Sequence, residues 1–356
     1  MPTRRDFTRS LAAGALSFPM IVSAKKTDSV AVVGEGAHRY EVQHDFLKLP
    51  DKYRWQTTHN VAVDKQGQIY VIHEGQGNQK DHPSIFVFDA AGMFVRAFGS
   101  EFQGGGHGLE IREEDGSEYL YVTAYQALKT FAKLTLTGER VWKQYAPMAS
   151  GFYADGEDSK PTRAWGRNRF MPTNIAFHPV DGGFYMADGY GAHTVHCYNA
   201  AGEWQSAFGK SGKKDGEFNL PHGLWIDTRG GREASVVVAD RANARLQWFK
   251  LDGSHIKTLG GFILPANVDQ YGDLLLVPDL SARITLLDAN DQLIHLAEDG
   301  DWRKQVLANG KKLRREPDRW AAGKFVHPHD ACFDADGNII VAEWVSTGRV
   351  SRLRKL

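Results

Sequence analysis

One unit of about forty to fifty residues recurs along most of this chain, and a recurring unit restricts a fold more than composition does. Its clearest copy begins at LPHGLWID, Leu220 to Asp227, and continues from Val236 to Gly260. Read by period, it gives an apolar strand, a second strand at Val236 to Ala239, an Asp-Arg turn and a third strand at Arg245 to Lys250. Asp252-Gly253 then turns the chain into a fourth strand, Ser254 to Leu259. Four short strands in a unit of this length make one blade of a β-propeller.

The other copies start at His59, His107, Thr173, Ala266 and His329, which predicts an all-β, six-bladed propeller. A length of 356 residues allows two domains, but one repeat spread so widely favours a single closed ring. The sixth copy stops after its third strand, Arg349 to Leu356. A propeller must hide every long edge, so another segment has to supply the missing strand. The strand-like segment RYEVQH, Arg39 to His44, has no partner nearby in sequence and is expected to close the ring. The domain reading is a leader over residues 1–24, an N-terminal segment with the closing strand over 25–58, and the propeller over 59–356. Two insertions break the period, Ala146 to Met171 and Ala297 to Val326. Both join an outer strand to the next inner strand, and their aromatic and cationic residues predict a lid or binding rim on one face.

Charge narrows the partners. With 43 basic and 43 acidic residues there is no basic footprint for nucleic acid and no polybasic membrane patch. The expected partners are small molecules or peptides. Cys197 and Cys332 fall at different blade positions and in no thiolate metal spacing. At the N-terminus, TRRDFTR (Thr3 to Arg9), an apolar run from Leu11 to Ile21 and Val22-Ser23-Ala24 together resemble a twin-arginine export signal. The run is too short to span a bilayer, so the mature protein is expected in the periplasm or outside the cell.

Aligned at the start of strand one, the six copies read His59, His107, Thr173, His222, Ala266 and His329. With 14 histidines in 356 residues, about 0.2 would fall there by chance, and four do. Such a histidine can simply bond a neighbouring carbonyl. His107, His222 and His329, however, lie in blades two, four and six and so converge on the axis with threefold spacing. Three imidazoles with an open fourth position suit a catalytic zinc. His59 would be a fourth ligand or a donor behind the ligands.

The strand–turn–V-A-D pattern followed by N-x-R-I/L-x-x-F resembles the NHL repeat. GHGL (Gly106 to Leu109), PHGL (Pro221 to Leu224), PHD (Pro328 to Asp330), DGY (Asp188 to Tyr190) and ADR (Ala239 to Arg241) resemble the peptidyl-α-hydroxyglycine α-amidating lyases. Those six-bladed NHL propellers split a hydroxyglycine N–C bond, releasing an amide and glyoxylate. The resemblance implies zinc on His107, His222 and His329. It implies a structural calcium on Asp330 and the carbonyls of Val61 and Leu109. It also implies Tyr190 as acceptor of the substrate hydroxyl proton and Arg241 as an active-site cation. The chain departs at His73-Glu74-Gly75, where the family has His-Arg-Gly. Glu74 is expected to repel a substrate carboxylate at close range, or to serve as a hydrogen-bond acceptor or general base beside Tyr190. Two functions follow: a metal-dependent lyase with altered recognition, or a non-catalytic propeller binding a peptide, glycan or partner protein.

Overall fold

A computed structural model of the protein describes residues 30–356, and the expected leader lies outside them. From Ala31 onward the chain forms six antiparallel sheets. Their inner strands are Thr58–Val63, Gly106–Glu114, Ile175–Phe177, Pro221–Asp227, Asp269–Tyr271 and Pro328–Phe333, and each touches the next around a closed ring. Within a blade the strands alternate apolar side chains to both faces. Neighbouring blades therefore share cores, as where Ile72, Ile85 and Val87 of the first pack against Leu109, Leu120 and Val122 of the second. This is the expected six-bladed propeller.

The ring closes as the missing strand predicted. Tyr40–Gln43 pairs antiparallel with Arg349–Lys355, from Tyr40 opposite Lys355 to Gln43 opposite Arg352. Tyr40 and Val42 point into a core with Phe333, Ile339 and Leu353. A fifth strand, Ala31–Val33, pairs outside it and was not expected from the sequence; three residues carry too little alternation to mark a strand.

The second strand of most blades ends on a buried acid that organises the turn. Asp240 receives Arg245 at 2.8 Å, Asp279 receives Arg283 at 3.3 Å, Glu343 binds Arg349, and Asp188 accepts the Tyr153 hydroxyl at 2.7 Å. His73 holds this place in the first blade, opposite Thr58. It is fully buried beside Trp55 and Phe86, and neither ring nitrogen has a partner. The first insertion remains mostly loop. The second forms the helix Gly300–Leu307, whose first turn is capped by Asp299, and two short 3₁₀ turns.

Two outcomes test this account. Deleting residues 39–44 exposes an edge and removes the burial of Tyr40 and Val42, together about 3–6 kcal/mol. Thermal unfolding should then fall by on the order of 10 °C, whereas an unchanged transition would place the closure elsewhere. His73 tests the buried turn. Burial holds its folded value down at about 3 against 6.5 for the free side chain. Between those values the unfolded chain takes up a proton that the folded chain refuses, so stability is lost as pH falls from 6.5 toward 3. Denaturant titrations should show His73→Met flattening that slope by up to about 1.4 kcal/mol per pH unit.

Candidate metal and ligand site

The ring brings two sets of repeat positions to its axis. The first is the start of strand one. His107 donates its Nδ1 proton to the carbonyl of Thr173 at 2.8 Å, His222 to Ala266 at 2.6 Å and His329 to His59 at 2.7 Å. A carbonyl can only accept, so Nδ1 carries the proton in all three and Nε2 keeps its lone pair. Blades two, four and six thus supply imidazoles, and blades three, five and one supply the carbonyls that orient them. The glycine after two of these histidines makes this close approach possible. A Cβ on Gly108 would lie 2.4 Å from the Thr173 carbonyl, and one on Gly223 would lie 2.0 Å from Asn267 Oδ1.

The His107, His222 and His329 rings stand 4.7–5.0 Å apart, centroid to centroid. Burial, with Arg241 and the other histidines nearby, holds all three well below the ordinary imidazole range, so all are neutral. His59 is the fourth member. Its Nε2 faces Glu74 Oε2 at 3.3 Å, and its buried Nδ1 has no partner. One nitrogen each from His59, His107 and His329 lies within 4.8 Å of the others, a set that could hold a metal ion. The expectation centred on His107, His222 and His329; the set the structure brings within this distance has His59 in place of His222, whose ring stands 4.8 Å from His107 and 4.7 Å from His329, centroid to centroid. His107, His222 and His329, neutral with Nδ1 tied to a carbonyl and Nε2 left as a lone pair, are the kind of donors a divalent metal requires, so these residues fit one.

The second set is the residue after strand two. In ring order it reads Glu74, Tyr125, Gly189, Arg241, Leu280 and Trp344, and Tyr190 follows Gly189. The Tyr190 hydroxyl lies 3.2 Å from His222 Nε2 and 3.4 Å from His107 Nε2. Arg241 donates to it at 3.1 Å and lies 5.3 Å above its ring. Tyr190 therefore faces the imidazoles with a fixed cation on its oxygen. Tyr125, Tyr190, Arg241, Leu280 and Trp344, with Trp165 from the first insertion and Lys311 from the second, line a cavity of about 350 Å³ over His329.

Glu74 does not line that cavity. Its Oε1 accepts from the Tyr125 hydroxyl at 3.0 Å and from the Gln126 amide, and Oε2 faces His59. His59, Tyr125 and Arg314 all favour its charged form against the cost of burial, leaving its value low. The substitution that separated this chain from the amidating lyases is thus a carboxylate aimed at an axial histidine.

One step down the channel, Asp330 Oδ2 accepts the Val61 backbone N–H at 2.8 Å and Oδ1 accepts from Asn267. Asn267 Oδ1 in turn accepts from Asn174, which also donates to Glu110 at 2.9 Å. Burial, and Asp330 nearby, push Glu110 well above the carboxylate range. The resemblance implied Asp330 with the carbonyls of Val61 and Leu109; the structure bonds Asp330 to the Val61 N–H, and it adds Glu110, which lies two residues past the aligned Gly108 and was missed. Tyr125, Trp344 and Lys311 were also missed. The first two are visible once strand-two exits are aligned across blades, whereas Lys311 sits in an insertion with no period. Of the other insertion residues, Tyr153 is buried against Asp188 and His196, and Trp302 and Trp320 pack into a small core, so these are structural.

No family model matches the chain. The mouse (Mus musculus) peptidyl-glycine alpha-amidating monooxygenase is 26% identical over 238 residues, which are 62% of this chain and 24% of that protein. The matched stretch therefore spans about a quarter of that relative's length. Human (Homo sapiens) NHL repeat-containing protein 3 is 25% identical over 229 residues, 60% of this chain and 57% of the relative. Among solved structures, virginiamycin B lyase from Staphylococcus aureus superposes with a TM-score of 0.55 at 11% identity, covering 89% of this chain and all of that one. The chain is a six-bladed β-propeller that resembles the amidating monooxygenases and NHL-repeat proteins in sequence and virginiamycin B lyase in fold.

Proposed function

We propose that this protein is an exported, metal-dependent, lyase-like enzyme that acts on a small molecule or modified peptide, with substrate recognition altered from the amidating lyases. The observation that carries this reading is the axial set of neutral imidazoles, oriented by carbonyls of the next blade, beneath a cavity that presents Tyr190 and Arg241. His107, His222 and His329 would hold a zinc ion, with His59 equipped to join or replace one of them. When bound, zinc would polarise a substrate oxygen and favour ionisation of a hydroxyl. A calcium ion would sit lower, at Asp330 with Glu110, where two buried acids otherwise repel.

The chain's own residues do the rest. In its ionised form, paired with the Arg241 guanidinium, Tyr190 accepts the proton of a substrate hydroxyl and becomes a neutral phenol. For a hydroxyglycine substrate, the hydroxyl oxygen becomes the aldehyde of glyoxylate as the N–C bond breaks. The proton held on Tyr190 then passes to the departing amide nitrogen. Glu74 orients His59 and stands where the related lyases have an arginine, so the anionic end of a substrate must be held by another part of the cavity. The leader sequence favours export. Among the described residues no helix is long and apolar enough to cross a membrane.

Metal content tests the centre and product release tests the chemistry. The folded protein should hold about one zinc per chain, and His107→Ala, His222→Ala or His329→Ala should each lower occupancy at least tenfold. His295→Ala should not, because that ring lies on an outer strand and bonds Thr285. Glyoxylate release from a hydroxyglycine-extended peptide should drop 10²- to 10⁴-fold in Tyr190→Phe at unchanged zinc content. A metal-free protein, or one that binds such a peptide without ever releasing glyoxylate, would favour the non-catalytic binding propeller.

A further inference from the structure

The cavity above the imidazoles carries an unpaired positive charge from an element outside the repeat. Lys311 lines it together with Arg241, and among the described residues neither forms a salt bridge. Arg314 lies behind them, 3.3 Å over the Trp344 ring and bonded to the Trp344 carbonyl at 3.1 Å. Burial, Arg241 and Arg314 all push the Lys311 ammonium below its usual range, which marks it as a charge held close to like charges in a partly dry place.

The backbone holds it there. Lys311 sits between Val306 and Leu313, which are both buried in one small core with Val326 and Val345. Asn309, Gly310 and Lys311 have successive positive φ values of 49°, 64° and 62°. Two of these residues carry side chains in a conformation that only local constraint maintains, and such constraint gathers where a side chain must be aimed. The tip is anchored on both sides, and its half-buried lysine lines the cavity, with Nζ 5.7 Å from the centre of the Trp344 ring.

The remaining walls are mostly aromatic and aliphatic, with Trp165, Tyr125, Trp344 and Leu280 among them. Tyr125 stacks on Tyr190 at 5.2 Å, and Trp165 meets Tyr190 edge-on at 5.6 Å. A volume of about 350 Å³ suits a ligand with one ring or a short aliphatic body. We infer that Lys311, with Arg241, is the carboxylate-binding residue of this cavity and selects small acids with an apolar or aromatic body. The lysine thereby supplies, from the second insertion, the positive charge that Glu74 removes from the first blade. This inference shares its cavity with the proposed lyase site, yet it needs no turnover.

Binding of hippurate and its neutral analogue hippuramide tests it. Neither bears the hydroxyl that a lyase would act on, and tryptophan fluorescence reports from Trp165 and Trp344. In metal-free and in zinc-loaded protein alike, hippurate should bind at least tenfold more tightly than hippuramide. Lys311→Met should remove most of that preference without changing hippuramide affinity, and Lys311→Arg should restore it. Equal binding of the two probes, no binding of either, or a preference that survives Lys311→Met would overturn the inference. So would a preference seen only with zinc present, because the metal would then be holding the carboxylate. The wild-type comparison requires no variant to fold, and near-ultraviolet circular dichroism checks the two that are used. Loss of glyoxylate release with the hippurate preference intact would count against the lyase chemistry while supporting this role for Lys311.

Discussion

Three hydrogen bonds from ring nitrogens to backbone carbonyls make the axis of this propeller what it is. Each runs from a histidine at the start of one inner strand to the same position of the next blade, at 2.6–2.8 Å. Each satisfies a buried donor and a buried acceptor, which would otherwise cost about 1–3 kcal/mol apiece. The same bond fixes the tautomer, so a contact that joins blades also turns a lone pair toward the channel. The bond from His329 to His59 crosses the seam between the last blade and the first. Ring closure by Tyr40–Gln43 and the geometry of the axial imidazoles are therefore parts of one structure.

Charge is arranged in layers along that axis. Neutral imidazoles occupy the middle, with buried acids below them at Asp330 and Glu110. Above them are the cations Arg241 and Lys311. Each layer is costly alone: three lone pairs sharing the one hydroxyl of Tyr190, acids without solvent, ammonium and guanidinium groups side by side. A metal at the imidazoles, a cation at the acids and an anionic ligand at the top would relieve all three. Glu74 fits the same pattern, because its charge is spent on His59, Tyr125 and Gln126 and does not enter the cavity.

The repeat made the blades legible, since period-two alternation and turn residues are local properties. Alignment of its copies also revealed the histidines, because equivalent strand starts in a propeller must meet at the axis. Ring closure followed from counting strands. The direction of Glu74 was not legible, as its partners Tyr125 and Gln126 come from the next blade and no local pattern joins them. Lys311 was hidden for a different reason: an insertion without period gives no position to align. His59 was visible as a histidine but not as an equal of the other three, because its free nitrogen is set by Glu74 and not by a carbonyl.

Nitrogen-15 spectra of the histidine side chains in metal-free protein test the central claim most directly. The account predicts that His107, His222 and His329 are neutral near pH 7, with the proton on Nδ1 and an unprotonated Nε2, and that zinc perturbs the Nε2 resonances while leaving Nδ1–H in place. Protons on Nε2, or protonated imidazolium rings at these three positions, would contradict it.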